Sequence, residues 1–144
     1  MKYIALLLVA SFIAAAMAGE AKEKVVEMFN KCKETHPVSE EEVEQFKKKE
    51  PVPSSSEAKC LMACMLKEGK VLKDGVYSKD NALMLADVLH KEDPEQASKA
   101  KEVIEHCTKE VGTEVGADEC EFAYKMAVCG SEHAKKLGVK TPDF

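Results

Sequence analysis

The sequence contains no arginine, because every one of its 21 basic residues is lysine. Arginine supplies the planar, bidentate fork with which proteins recognise phosphate and guanine, and lysine does not replace it there. The chain is also acidic, with a formal net charge of −5 and an isoelectric point near 5.5. Together these two features exclude nucleic acid as a partner.

The motifs that commonly carry catalysis are absent as well. There is no Gly-x-Ser-x-Gly turn for a serine nucleophile and no His-Glu-x-x-His helix for a zinc ion. The four histidines, His36, His90, His106 and His133, precede a proline, lie toward helix ends or lie among charged residues, and each is interpreted as structural or solvated. We therefore predict no enzyme, no catalytic residue, no metal site and no cofactor.

The sequence has one long apolar run, which covers residues 4–16 and follows Lys2. The run ends in Ala-Met-Ala at residues 16–18, which places small residues where a signal peptidase requires them. It is too short to span a bilayer comfortably, and no other stretch approaches the required length. We predict a secretory signal over residues 1–18 and a secreted, extracellular, soluble domain over residues 19–144.

The rest of the chain has the start and stop signals of helices. It contains no alternating strand pattern, internal repeat or low-complexity segment. Apolar residues recur at three- and four-residue spacing between capping residues, prolines and glycines. We predict an all-α fold with a turn at Asp74-Gly75. Its six or so helices run from Glu20 to Thr35, from a Ser39 cap through Phe46, from a Ser54 cap through Leu66 to Gly69, from Asn81 to Lys91 with Ser78 or Asp80 as the cap, from an Asp93-Pro94 cap to about Val111, and from about Asp118 to Cys129 or beyond.

Six cysteines follow the predicted signal, and an even number in a small exported chain indicates a disulfide framework. Cys60 and Cys64 share one helix face but lie too far apart to bond to each other. Cys120 and Cys129 lie on opposite sides of another helix and also need different partners. Of the 15 possible pairings, these two exclusions leave 10 open.

The spacing Cys32-x27-Cys60-x3-Cys64-x42-Cys107-x12-Cys120-x8-Cys129 resembles that of the insect odorant-binding and pheromone-binding protein family, whose signature has the same x3 and x8 gaps. The resemblance covers the whole mature chain and extends to the signal, the size and the acidic isoelectric point. It implies a hydrophobic cavity closed by three interlocked bridges, Cys32–Cys64, Cys60–Cys120 and Cys107–Cys129.

The resemblance also implies a function, a secreted carrier that binds and transports small hydrophobic molecules, such as odorants or pheromones, in an aqueous extracellular fluid. Its partners would be the ligand and a membrane receptor at delivery, and the carrier would be a monomer or a weak homodimer. The alternative is a disulfide-stapled secreted interaction protein with a filled core and a protein partner. Saturable uptake of an apolar fluorescent probe separates the two.

The predicted ligand-binding residues are drawn from the apolar helix faces, where methionines suit a permissive pocket because thioethers adapt to varied outlines. A hydroxyl of Tyr77 or Tyr124 would orient the polar end of the ligand. The C-terminal segment would fold back as a lid, held by the Phe144 carboxylate or Asp143 and loosened at low pH. The ligand-binding set is Phe29, Met62, Met65, Leu66, Tyr77, Met84, Val88, Leu89, Val103, Phe122, Met126 and Phe144.

Overall fold

Six α-helices make up most of the computed structural model, which describes residues 23–48 and 50–140. The predicted signal, the start of the first helix and Phe144 lie outside the described residues. The all-α prediction is confirmed. Within the described residues the helices are α1 over 23–35, α2 Glu40–Lys48, α3 Ser56–Glu68, α4 Lys79–Leu89, α5 Pro94–Val111 and α6 Glu119–Leu137.

Side-chain caps fix several helix ends where the sequence predicts them. The Ser39 hydroxyl accepts a hydrogen bond from the backbone N–H of Glu42 at 3.2 Å. The Asp93 carboxylate accepts one from the N–H of Gln96 at the same distance, just before α5. Such caps stabilise helices because the first N–H groups have no partner inside the helix. The predicted end of α5 at Val111, before Gly112, is also confirmed.

Predicted boundaries of α2, α3 and α4 are wrong by one or two residues: α2 ends at Lys48 and not at Phe46, and α4 ends at Leu89 and not at Lys91. The N-cap of α3 is Ser55, whose hydroxyl accepts from the N–H of Ala58 at 3.1 Å, and not Ser54. Three consecutive serines precede this helix, so the cap pattern alone does not choose between them. Helix α4 is capped by Ser78 and starts at Lys79, two residues before the predicted start.

The predicted turn at Asp74-Gly75 closes a short hairpin, a feature that the helix pattern does not predict. Strands β1 (Leu72–Lys73) and β2 (Val76–Tyr77) pair antiparallel. Both turn residues have positive φ, 53° and 75°, as a two-residue hairpin turn requires. Strands of two residues are too short to show an alternating pattern. The hairpin is held to the loop between α5 and α6, since the Tyr77 N–H donates to the carbonyl of Thr113 at 2.8 Å.

Three disulfides tie the helices together in the pairing that the family resemblance implies. Helix α3 carries two cysteines one turn apart, and these bond in opposite directions, to α1 and to α6. The third bridge joins α5 to α6. The pairs are Cys32–Cys64, Cys60–Cys120 and Cys107–Cys129, with Cα–Cα distances of 5.8, 4.4 and 5.8 Å.

The core divides into two clusters on either side of α3. The smaller one packs Phe29 and Cys32 of α1 against Leu61 of α3, and the ring of Phe29 meets that of Phe46 edge-on at 5.5 Å. The larger one lies among α3, α5, α6 and the hairpin. Helix α6 packs against both α3 and α5. The space that these three helices enclose is not filled by side chains.

Candidate ligand-binding cavity

A cavity of about 620 Å³ lies between α3, α5 and α6. This volume is within the range of pockets that take small organic molecules. Helix α3 contributes Met62, Met65 and Leu66 to its wall, and α5 contributes Val103 and Ile104. These side chains are apolar, so the interior favours an apolar ligand over water.

Helix α6 leaves room in the cavity because, apart from Met126, one stripe of the residues that it turns inward is small. Ala123, Ala127, Gly130 and Ala134 all line the cavity, at spacings of four, three and four residues. This is the spacing of one helix face. Large residues at the same positions would fill the space that α3 and α5 enclose. The stripe of small residues therefore determines how much room a ligand has.

The mouth of the cavity is polar and lies between α6 and the segment that follows α2. Lys48, Glu50 and Lys135 contribute to the lining there, and each is exposed. The Lys135 ammonium lies 2.6 Å from a carboxylate oxygen of Glu50. This ion pair connects the two sides of the mouth. Because both side chains are well exposed, it contributes little to stability.

Tyr77 contributes a phenol to the wall of this mostly apolar cavity. Its side chain is 7% exposed and packs against the ring of Phe122, with centroids 6.0 Å apart. Burial raises the pKa of Tyr77 to about 12, since the phenolate is disfavoured away from water. Within the described part of the chain no hydrogen bond reaches this hydroxyl. It is therefore a neutral hydrogen-bond donor available to a ligand.

Six of the twelve predicted ligand-binding residues line the cavity, five do not, and Phe144 lies outside the described residues. Those that line it come from α3, the hairpin, α5 and α6. They are Met62, Met65, Leu66, Tyr77, Val103 and Met126.

Phe29 and Phe122 are buried in the core and are not among the residues that line the cavity. Phe29 packs in the smaller cluster, on the side of α3 that faces α1. Phe122 is one residue before Ala123 and points toward the hairpin, where it meets Tyr77. Phe122 therefore supports the cavity wall from behind.

The predicted residues of α4 also lie outside the cavity. Met84 and Val88 are 62% and 56% exposed, and Leu89 is half-buried away from the lining. Helix α4 instead buries Ala82 and Ala86. Residues two positions apart differ by about 200° around a helix, so burying the alanines turns Met84 and Val88 outward. The apolar face of α4 is broad, and its pattern does not select the buried side.

The C-terminal segment returns to the body of the protein as far as it is described, and the predicted lid stays a prediction. Helix α6 continues to Leu137, and Gly138 ends it with φ 70°. Val139 lines the cavity, and the backbone on either side of it is held by Gln96 of α5. The Gln96 amide donates to the Gly138 carbonyl at 3.3 Å and accepts from the Lys140 N–H at 2.7 Å. Phe144 and Asp143 lie outside the described residues.

Many lining residues are absent from the predicted set, which favours large apolar side chains. The three- and four-residue spacing of the small residues of α6 could have identified them as lining residues. The residues at the mouth show no regular spacing that would identify them. The additional lining residues are Gln45, Phe46, Lys48, Glu50, Val52, Pro53, Ile104, Cys107, Ala123, Ala127, Gly130, Ser131, Ala134, Lys135 and Val139.

The chain is similar to known proteins over most of its length. Residues 14–133 match a model of the PBP/GOBP family. The chain is 30% identical over 120 residues to general odorant-binding protein 19d of Drosophila melanogaster, covering 83% of this chain and 77% of that protein. The fold is similar to that of odorant-binding protein dmelOBP28a from Drosophila melanogaster, with a TM-score of 0.69 and 27% identity over 85% of this chain and 99% of that chain. Among the described residues, no helix has the length and apolar character needed to cross a membrane.

Proposed function

Because the chain belongs to the PBP/GOBP family, we propose that it is a secreted carrier that encloses one small hydrophobic molecule, such as an odorant or a pheromone. The observation that carries this proposal is the apolar cavity of about 620 Å³ between α3, α5 and α6. Delivery to a membrane receptor, by a monomer or a weak homodimer, is part of the same proposal.

Affinity comes mainly from apolar burial. A ligand that buries ~300 Å² of apolar surface gains roughly 7.5 kcal/mol at ~25 cal/mol per Å², before the cost of association is subtracted. Because 7.5 kcal/mol corresponds to a Kd of roughly 3 μM, we expect dissociation constants no tighter than the micromolar range. Affinity of this order suits a carrier that must also release its ligand.

Tyr77 gives the cavity a preference among apolar ligands. A buried phenol donates a hydrogen bond to a carbonyl, ester or alcohol oxygen. The lysines that contribute to the lining, Lys48 and Lys135, are exposed at the mouth and are not near the cavity interior. An anionic head group would lose its hydration inside without a buried cation to replace it. The proposed ligand is therefore neutral, with an apolar body and one oxygen acceptor.

The alternative, an interaction protein with a filled core, does not account for the stripe of small residues on α6. A core that is selected only for stability is close-packed, and glycine in a helix interior destabilises the helix. The cavity therefore favours the carrier over the interaction protein.

A displacement assay with an apolar fluorescent probe tests the proposal. The mature protein should take up one equivalent of probe, and small neutral esters or ketones should displace it. Two methionine variants provide a matched pair, since Met126→Gln places a polar amide in the cavity and Met84→Gln makes the same change on the surface. Met126→Gln should weaken uptake and Met84→Gln should not. Absence of saturable uptake, or equal weakening in both variants, would rule out this cavity as the binding site.

A further inference from the structure

Two histidines outside the cavity lie face to face. His106 of α5 and His133 of α6 stack with ring centroids 4.0 Å apart and ring planes only 6° from parallel. One turn beyond His106, Glu110 places a carboxylate oxygen 3.3 Å from its Nε2. The His106 nitrogen and the Glu110 carboxylate thus lie within reach of one ion, and the ring of His133 lies against that of His106 without its nitrogens yet converging on the same point. None of the three lines the cavity.

The backbone beneath these side chains is held in register by a disulfide. Cys107, next to His106, is bonded to Cys129, one helical turn before His133. The Glu110 carboxylate also lies 3.2 Å from the Cys129 sulfur. A disulfide sulfur carries no proton and no thiolate charge, so it neither donates to the carboxylate nor ligates a metal ion. The nitrogen and oxygen donors that remain are those of the two histidines and the glutamate.

We propose that His106, His133 and Glu110 form a binding site for one divalent transition-metal ion of the zinc and copper class. Two neutral imidazoles and one carboxylate make a donor set that zinc uses in proteins with a fourth position left for water. The same set binds Cu²⁺ more tightly than Zn²⁺. An ion bound here joins α5 to α6 a second time, beside the disulfide.

The stacked rings must rotate to take the ion. Lone pairs of parallel rings do not converge, and metal–nitrogen distances of about 2.0–2.1 Å require the two ligating nitrogens to lie roughly 3.3 Å apart. His106 and Glu110 are exposed and His133 is half-buried, so rotation about the side-chain bonds meets little packing resistance. The backbone positions need not change, because the disulfide already holds the two helices at this spacing.

Calorimetric titration of the untagged mature protein with Zn²⁺ tests the site. We expect one ion per chain and tighter binding when Cu²⁺ replaces Zn²⁺. His106→Asn and His133→Asn should each weaken Zn²⁺ binding by at least about tenfold, the effect of losing about 1.4 kcal/mol with one ligand. Glu110→Gln should weaken it less, since the two imidazoles remain.

His36 provides a matched control, because its ring nitrogen also lies 3.3 Å from a carboxylate, that of Glu57, but no second histidine is stacked on it. His36→Asn should leave Zn²⁺ affinity unchanged. In the unmodified protein, NMR should show the ring signals of His106 and His133 shifting together with added Zn²⁺. Absence of saturable binding would overturn the proposal, as would wild-type affinity in a variant lacking both histidines or ring shifts confined to His36 and His90.

Discussion

Gly130 gives the sharpest test of the cavity, because stability and ligand binding should respond to it in different ways. It lies in the interior of α6 and lines the cavity. A Cβ atom built on it meets no other atom within 4 Å. Glycine inside a helix costs about 0.8–1.0 kcal/mol relative to alanine. No neighbouring side chain requires a glycine at this position, and what the residue faces is the open space of the cavity.

Gly130→Ala should therefore raise the free energy of unfolding by about 1 kcal/mol. For a domain of this size that corresponds to an increase in Tm of about 4 °C. Probe affinity should change little, since one methyl group removes only a small part of a cavity of about 620 Å³. Differential scanning calorimetry and the probe titration measure the two quantities on the same sample.

Gly130→Leu should also stabilise the helix but weaken binding, because its side chain occupies space that a ligand needs. Excluding two buried methylenes of a ligand costs ~1.6 kcal/mol, or roughly 15-fold in Kd. Glu132→Leu places the same side chain on the exposed side of the same helix and should leave Kd unchanged. A destabilised Gly130→Ala protein would refute the open space at this position. A Gly130→Leu protein with wild-type affinity would show that ligands bind elsewhere.

Three further predictions concern the cavity wall and its mouth. Tyr77→Phe should weaken binding of a ketone or ester by about 2- to 13-fold, which is the effect of losing one hydrogen bond, and should not weaken binding of a hydrocarbon of equal length. Tyr124→Phe, outside the cavity, is the control. Equal losses for the ketone and the hydrocarbon would contradict the assignment of the hydrogen bond to Tyr77. Because folding raises the pKa of Tyr77 from 10.0 to about 12, its contribution to stability is complete below about pH 10 and is lost as the pH rises through about 12. Alkaline unfolding should show this loss in the wild type and not in Tyr77→Phe, and the same loss in both would disprove it. Deleting residues 139–144 should weaken probe binding and flatten its pH profile between pH 7 and pH 5 if the segment is a lid, and an unchanged affinity and profile would exclude the lid.

The helix ends could be predicted because they are set by local chemistry. The Asp93-Pro94 start and the Gly112 end of α5 depend on a few neighbouring residues, and the structure has both. The disulfide pairing needed more than local chemistry. Helix geometry leaves ten pairings open, and the resemblance to a family selects the one that the structure contains.

Helix rotation could not be predicted where the apolar face is broad. Five apolar residues of α4 offer several equivalent faces, namely Leu83, Met84, Leu85, Val88 and Leu89. The structure buries the alanines at 82 and 86 instead. Small side chains allow a helix to pack closely against its neighbour. The neighbour of α4 is α5. The sequence pattern of α4 alone does not show where α5 lies, so it does not predict which face of α4 is buried.

Part of the cavity wall escaped prediction for a related reason. Periodicity identifies the face of a helix that turns inward, but not the distance between that face and the opposite wall. On α3 the inward face carries Met62 and Met65, so large apolar residues mark the wall correctly there. On α6 the wall is marked by Ala127 and Gly130, which sequence patterns treat as weak signals. A search for large apolar side chains therefore finds the residues of α3 that line the cavity. It misses the small residues of α6 that leave space for it.

The position of the disulfides explains how a helix with so little bulk on its inner face can stay in place. Helix α6 is bonded to α3 through Cys120 near its start and to α5 through Cys129 near its middle, and these are the two helices across the cavity from it. The bonds close separations of 60 and 22 residues, which in the chain-entropy model stabilises the folded state by roughly 3–4 kcal/mol each. Packing across the cavity is thus not needed to hold the three helices together. The fold therefore does not depend on contacts with the ligand that we propose for this cavity.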